Sequence, residues 1–320
     1  RTIPAMITYA REIARYARTA WVINFTNPVG IMTQAVSAET GIKIIGICDT
    51  PTALFERIAH VLDLEPRACL FDYFGLNHLG WVREVYHGGE PQLHRIWGDD
   101  AALGRVYRAP LFEVERLRGL RLLPTEYLYY YYRAGEACEN VRRAGQGRGQ
   151  VIAQLNAELF ERLEQPGDDP VRIYEDYLAA RSSGYMQIES GAQAPQARAA
   201  WEELTGYDKI ALETVRAIHF NSGAVIPLNV LNRGNLPELE PDDIIEVPCA
   251  VSANGARALH AGPMPDAVRD QVMQVKAYER ATIHAALTRD PRAASAALAR
   301  NPLVPSEVVA ERLVSALGIA

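Results

Sequence analysis

Cys48 and His78 are a thiol and an imidazole thirty residues apart, each placed where a strand should end. The run Lys43-Ile44-Ile45-Gly46-Ile47 is short and apolar, which predicts a buried parallel strand with Cys48 at its mouth. The run from Cys69 to Phe74 predicts the next strand, with Asn77 and His78 in the loop that leaves it. In an open α/β sheet, ligands collect beyond the carboxyl ends of the strands. A thiolate and an imidazole meeting there would hold a divalent metal and leave positions open for substrate. Each residue alone also fits a plainer role: the cysteine as a small buried hydrophobe, the histidine as a satisfied polar group. A third segment, Asn24-Phe25-Thr26-Asn27-Pro28, brings two amides and a hydroxyl to the same expected edge.

Regular elements must position these groups. Residues 2–18 carry Ile3, Ile7, Ala10, Ile13, Ala14 and Ala17 at helical spacing. A strand at 20–25, a helix at 28–40 closed by Gly41, a strand at 43–47 and a helix at 51–62 follow. This alternation predicts the back half of a doubly wound sheet. After His78 the pattern changes: residues 79–87 alternate as an antiparallel strand, and Gly88-Gly89 gives a turn. Two domains are therefore expected, residues 1–75 and 76–320. Within the second, residues 125–164 read as helical, with Gly145, Gly147 and Gly149 marking a break. Residues 181–198 read as a loop and 201–219 as helix. Strands at 225–230 and 244–251 are joined by a turn at 232–234, and 265–317 is helical.

Composition sets outer bounds. The chain has 320 residues, 48% of them hydrophobic, enough for a sizeable core. The net charge is −6 with no basic block, so nucleic acid is not an expected partner. No apolar run approaches the roughly 20 residues of a membrane helix, and the N-terminal stretch lacks the core of a signal peptide, so no membrane partner is expected. Four separated cysteines without a CxxC pair point to a reducing, cytoplasmic setting.

Five segments together resemble glycoside hydrolase family 4: INFTNPVG, GICDTP, YFGLNHLGW, the tyrosine-rich PTEYLYYYY, and Asn229-Val230-Leu231-Asn232-Arg233-Gly234 with the later Leu239 to Pro248. They occur in the family's order along nearly the whole chain, and the nearest branch is that of 6-phospho-β-glucosidases. The resemblance implies the back half of a Rossmann-like doubly wound sheet followed by a lactate/malate-dehydrogenase-like α+β C-terminal domain. It implies NAD and manganese as cofactors, a phosphorylated disaccharide or glucoside as substrate, and a homodimer or homotetramer. The family's glycine-rich pyrophosphate loop has no counterpart here; the chain opens at Arg1-Thr2-Ile3-Pro4, resembling the middle of the NAD-binding domain. Residues 1–75 would then be the later part of a truncated cofactor domain. An inactive remnant is a second reading. Asp49 is a further departure, since aspartate after the cysteine is typical of 6-phospho-α-glucosidases.

Most glycosidases work with a pair of carboxylates, and the NAD-dependent family 4 enzymes are an exception. The chemistry the resemblance implies removes hydride from C3 of the sugar, takes the acidified C2 proton, expels the leaving group, adds water and returns the hydride. Cys48 and His78 would be the metal ligands, and Tyr127 the base at C2. A tyrosine ordinarily titrates near 10, so this role requires a cation nearby. Tyr129 to Tyr132 remain alternatives, and some of that run must serve packing. Asn24 and Thr26 would touch the cofactor. Asn27 and Asn77 would bind sugar hydroxyls, and Asn232 and Arg233 would line the substrate or phosphate pocket. Arg148 either binds the phosphate, as a guanidinium can in bidentate fashion, or belongs to a solvated basic helix face. Asp49 either acts near the leaving group or caps the next helix. A lactate/malate-type dehydrogenase shares the architecture, but its His–Asp relay and carboxylate-binding arginine find no match.

Overall fold

The structure, a computed structural model, describes residues 2–107, 111–165, 167, 169–184, 186–191 and 206–319. Helix α1 (Thr2–Tyr16) buries the stripe Ile3, Ile7 and Ala10 against Ile31, Met32, Ala35 and Val36 of α2 (Val29–Thr40). Strands β1 (Trp21–Asn24) and β2 (Lys43–Gly46) flank α2 in sequence and pair in parallel, from Trp21↔Lys43 to Asn24↔Gly46. This is the βαβ unit that the alternating periods predicted. Gly41 ends α2 at φ +64°, where its N–H reaches the Ser37 carbonyl, a position that suits a residue without Cβ. Helix α3 (Asp49–Val61) leaves directly from the mouth of β2.

The strand after α3 departs from expectation. β3 (Cys69–Leu76) does not extend the parallel sheet; it pairs antiparallel with β4 (Leu79–His87) through the two-residue turn Asn77-His78. Two residues suffice for a hairpin, whereas a parallel return needs a crossover of a dozen or more. His78 takes φ +64°, and Gly75 at φ +148° passes so close that a Cβ there would lie 2.2 Å from the Leu79 carbonyl oxygen. β5 (Glu90–Pro91) and β6 (Leu123–Pro124) also pair with β4. The first sheet continues instead into β7 (Ala224–Leu231), β8 (Ile244–Ser252) and β9 (Gly255–Ala258), all antiparallel, in the order β1-β2-β7-β8-β9. β2 meets β7 at a single pair, Gly46↔Asn229.

Contacts divide the chain into two compact units, one of residues 1–106, 113–128 and 204–320, the other of 107–112 and 129–203. Residue 75, the expected boundary, lies within β3 in the first unit. In the first unit, the helix Asp266–Thr288 is fastened by buried polar groups. Lys276 donates to the Ile244 carbonyl (2.7 Å) and the Gln34 side chain (3.2 Å) and pairs with Glu279, while Arg280 pairs with Asp243. The C-terminal helical stretch breaks into three helices. Arg289 turns left-handed at φ +55° after the first, and Asp290 caps the second (Pro291–Arg300) by accepting from the Arg292 N–H.

The second unit is helical. Helices Ala134–Ala144 and Arg148–Glu164 are separated at Gly145, φ +72°, as the glycines predicted. Of the expected loop at 181–198, residues 181–183 end the helix Pro170–Ser183 and Gln187–Ser190 form a short helix; 185 and 192–198 lie outside the described residues. The expected helix at 201–219 is described as Tyr207–Phe220, in the first unit, with 201–205 outside the described residues.

Gly46 stands at the one junction between β2 and β7. A Cβ there would come within 2.6 Å of Val29, 2.7 Å of Asn229 and 2.7 Å of Thr33. Gly46→Ala should therefore destabilise the protein by about 3 kcal/mol, the upper range for overpacked core positions. Urea unfolding measures this, and an unchanged midpoint would contradict the tight junction.

Candidate active site

Glu246, on β8, is fully buried and gathers three donors. The Tyr73 hydroxyl donates at 2.6 Å, the Asn229 amide at 2.7 Å and the Asn77 amide at 3.2 Å. These come from β3, β7 and the β3–β4 turn, so one carboxylate ties both sheets to one point. Burial pushes its pKa up to about 7 against the opposing pull of those hydrogen bonds. Gly80 makes the geometry possible, because a Cβ there would sit 2.0 Å from the Tyr73 hydroxyl oxygen. Asn77 uses its amide oxygen to accept from the Val29 N–H (3.2 Å), which clips the turn to the first residue of α2.

Around this anchor lie the predicted chemical groups. Cys48 is the N-cap residue of α3, fully buried, with its thiol 3.4 Å from the Thr50 hydroxyl. Burial, then the charge of Glu246, pushes the thiol up to about 12. His78, held at its left-handed turn position, stacks on Tyr127 with ring centroids 4.0 Å apart. Desolvation lowers its pKa to about 4, so the imidazole is neutral at physiological pH. Tyr207, the first residue of the helix Tyr207–Phe220, links the set. Its hydroxyl is hydrogen-bonded to Asn27, and its pKa is raised by burial and then by Cys48 and Asp49, with a smaller effect of Tyr127. Phe25 packs against it at 5.7 Å. Asn27, Cys48, Asp49, Tyr127 and Tyr207 thus share one neighbourhood at the carboxyl end of β2, and His78 joins it through Tyr127.

A divalent cation suits this donor set. A neutral imidazole has a lone pair to give, and a thiol at a helix N-terminus lies at the positive end of a dipole. The side chains that raise the Cys48 and Tyr207 pKa values are all negative when ionised, so the neighbourhood calls for positive charge. Among the described residues no group of three or more His, Cys, Asp or Glu is arranged to hold a metal, so Cys48 and His78 would leave most of the coordination shell to other ligands.

Other predicted residues are placed differently. Asn24 is buried; its amide donates to the Thr33 hydroxyl (3.1 Å) and accepts from the Thr26 N–H (3.0 Å), shaping the loop after β1. Asn232 is also buried, with its amide donating to the carbonyls of Leu236, Leu239 and Glu240 and accepting from the Leu236 N–H. It organises its own loop instead of lining a pocket. Arg233 follows the end of β7 that runs antiparallel to β2, beside Lys43, and so faces the amino end of β2 and not Cys48. Asp49 is not the N-cap of α3; it lies in the first turn, and Cys48 holds the cap position without a side-chain cap bond. Arg148 belongs to the second unit, where its guanidinium bonds the Arg181 carbonyl. There too the Tyr129 hydroxyl donates to the Glu189 carbonyl at 2.9 Å.

Residues that sequence reasoning passed over complete the site. Tyr207 gives no periodic signal, being a single tyrosine after Gly206. Arg57 of α3 lies 2.7 Å from Glu126 and donates to the Val106 carbonyl (3.0 Å), so a buried ion pair fixes the residue just before Tyr127. Glu246 lies within one of the quoted motifs, but nothing in its spacing marks it as the common acceptor.

The fold and the site define an α/β protein of dehydrogenase-like architecture with a thiol and an imidazole near one tyrosine. A lactate dehydrogenase from a Medee basin deep-sea metagenome library has the same general fold, with a TM-score of 0.50 and 15% identity, covering 89% of this chain and 69% of that one. The profile described as "Family 4 glycosyl hydrolase C-terminal domain" matches residues 73–304, and "Family 4 glycosyl hydrolase" matches 1–64. The chain belongs to family 4 of the glycosyl hydrolases. It is similar to a probable 6-phospho-β-glucosidase of Bacillus subtilis, 28% identical over 98% of this chain and 68% of that protein. It is similar to a phospho-α-glucosidase of Clostridium acetobutylicum, 25% identical over 99% of this chain and 70% of that protein. The 6-phospho-β-glucosidase of Thermotoga maritima, solved with manganese, NAD+ and glucose-6-phosphate, superposes with a TM-score of 0.75 at 24% identity, covering 99% of this chain and 69% of that one.

The Glu246 anchor predicts energetic coupling. Tyr73→Phe removes one donor from a buried carboxylate and should cost about 2 kcal/mol. Combined with Glu246→Gln, the loss should fall short of the sum by about 1 kcal/mol. A double-mutant cycle by urea unfolding checks this, and strict additivity would show that the contact carries no energy.

Proposed function

We propose that the chain hydrolyses 6-phospho-β-glucosides, using NAD and manganese, and acts on a phosphorylated disaccharide or glucoside. The observation that carries this reading is the shared neighbourhood of Cys48, His78, Tyr127 and Tyr207. The similarity to the Bacillus subtilis relative supports the β anomer, while Asp49 beside Cys48 and the Clostridium acetobutylicum relative keep α specificity as the second reading. In this proposal residues 1–75 are the later part of the cofactor domain and 76–320 the substrate domain. The enzyme works in the cytoplasm as a homodimer or homotetramer.

Bound NAD and a divalent cation would supply a hydride acceptor at C3 and polarisation of the neighbouring sugar oxygens. The chain supplies the rest. Cys48 and His78 hold the cation, the left-handed turn fixing the direction of the imidazole. Tyr127 takes the C2 proton. Its ring is held by stacking on His78, and its backbone by the Arg57–Glu126 pair one residue earlier. Asn27 and Tyr207, already hydrogen-bonded to each other, orient sugar hydroxyls. Asn77, Asn24 and Thr26 shape the two loops that face the substrate and cofactor. The Phe25 and Tyr207 rings pack against each other beside them.

Three measurements test this. Purified protein supplied with NAD and manganese should release the aglycone from an aryl 6-phospho-β-glucoside faster than from the α anomer; the reverse order would move the assignment to the α class. Folded protein inert on both would establish the remnant reading. Tyr127→Phe should lower kcat about 100-fold or more with KM little changed, as loss of a positioned base does. Cys48→Ser and His78→Ala should each abolish manganese binding by titration while the far-ultraviolet circular dichroism stays native; wild-type manganese affinity in either variant would remove the cation from this site.

A further inference from the structure

Beyond the single pair Gly46↔Asn229, β2 and β7 both line a cavity of about 680 Å³. It is lined by Lys43, Ile44 and Ile45 of β2, whereas Cys48 follows the end of that strand. Every charged side chain in its lining is basic. Lys43 comes from β2, Arg233 from the turn after β7 and Arg257 from β9, with the amides of Asn235 and Asn254 beside them. Among the described residues, no carboxylate lines the cavity, and neither arginine is ion-paired.

Two features show that this corner is built and not incidental. Arg233 sits at φ +47°, a left-handed position where glycine or asparagine would be cheaper. The turn is locked there by the Asn232 amide and by the Arg233 N–H on the Pro241 carbonyl at 2.9 Å. On the other wall, the Trp21 ring packs onto Gly255, whose φ is +90°, and a Cβ at that glycine would lie 2.1 Å from the indole. The Lys43 ammonium lies over the same indole, 5.3 Å from its centroid. The indole thus closes this wall, with the Lys43 ammonium over its face.

We propose that this cavity binds a phosphate-bearing small molecule of about nucleotide size, at a site separate from the Cys48–His78 centre. Two guanidiniums can each grip phosphate oxygens in bidentate fashion, and an ammonium adds a third charge. The amides suit hydroxyl or ring-nitrogen groups on the remainder of the ligand. The volume falls within the range of small-molecule pockets. The net charge of −6 makes such a basic pocket a local feature and not part of a general attraction for polyanions.

Inorganic pyrophosphate is the probe, titrated calorimetrically into the wild-type chain, an Arg233→Gln/Arg257→Gln double variant, the single variant Arg257→Glu, and His78→Ala. Both arginines are exposed, so these substitutions leave the core untouched. Saturable binding that weakens about tenfold or more in the double variant, weakens in Arg257→Glu, and stays within about twofold in His78→Ala supports the site. No saturable binding, or equal affinity in wild type and both arginine variants, overturns it. So does binding lost only in His78→Ala, since that places the anion at the active site. Because His78→Ala is read separately, failure here leaves the glucosidase proposal standing, and failure of the glucosidase assay leaves this one standing.

Discussion

A buried carboxylate is expensive unless donors surround it, and Glu246 has three. Each donor comes from a different segment: Tyr73 from the second sheet, Asn77 from the turn that closes it, and Asn229 from β7. A slip of any one of these strands would take a donor away from the carboxylate, so its desolvation enforces their register. The constraint spreads outward from there. Asn77 can serve Glu246 only if its turn lies against α2, which the Val29 N–H secures. The same turn carries His78. The candidate metal ligand is thus placed by its neighbour's hydrogen bonds, and its own ring stacks on Tyr127.

The glycines belong to the same constraint. Gly80 lets the Tyr73 hydroxyl reach Glu246, and Gly75 lets β3 pass the Leu79 backbone at the mouth of the hairpin. Gly46 lets β2 approach β7 where Asn229 must point toward the carboxylate. Close backbone approach replaces side-chain packing at each of these points. Glu246 is therefore buried with no side chain at any of these glycines, and burial strengthens the electrostatic contacts it makes.

Much of this is readable in the chain, and the limits have physical reasons. The β1–α2–β2–α3 unit follows from short apolar runs, from the 3.6-residue period between them and from Gly41, all properties of neighbouring residues. The hairpin does not, because a strand reads alike whether it joins one sheet or another; only the shortness of the Asn77-His78 turn distinguishes them. Cys48, His78 and Tyr127 are marked by residue type; the structure stacks His78 on Tyr127 and sets Cys48 and Tyr127 each within electrostatic reach of Tyr207. Asn232 is marked too, but a side-chain amide reads the same whether it binds a sugar or its own loop, and here it binds its loop. Tyr207 is silent because its partners, Asn27 and Cys48, are brought to it by tertiary folding alone. The Arg57–Glu126 pair is silent for the same reason.

β2 is only four residues long, yet its two ends have opposite electrostatic character. At its carboxyl end lie Cys48, Asp49 and Glu246, acids among which burial and mutual repulsion hold back the ionisation of Cys48 and Glu246. At its amino end lies Lys43, beside Arg233 and Arg257. A strand of this length spans roughly 13 Å, longer than the ~8 Å over which salt at physiological strength screens charge at a surface, though screening is less effective through protein. The two ends therefore do not neutralise each other. The single Gly46↔Asn229 pair is the point at which β2 passes from one to the other.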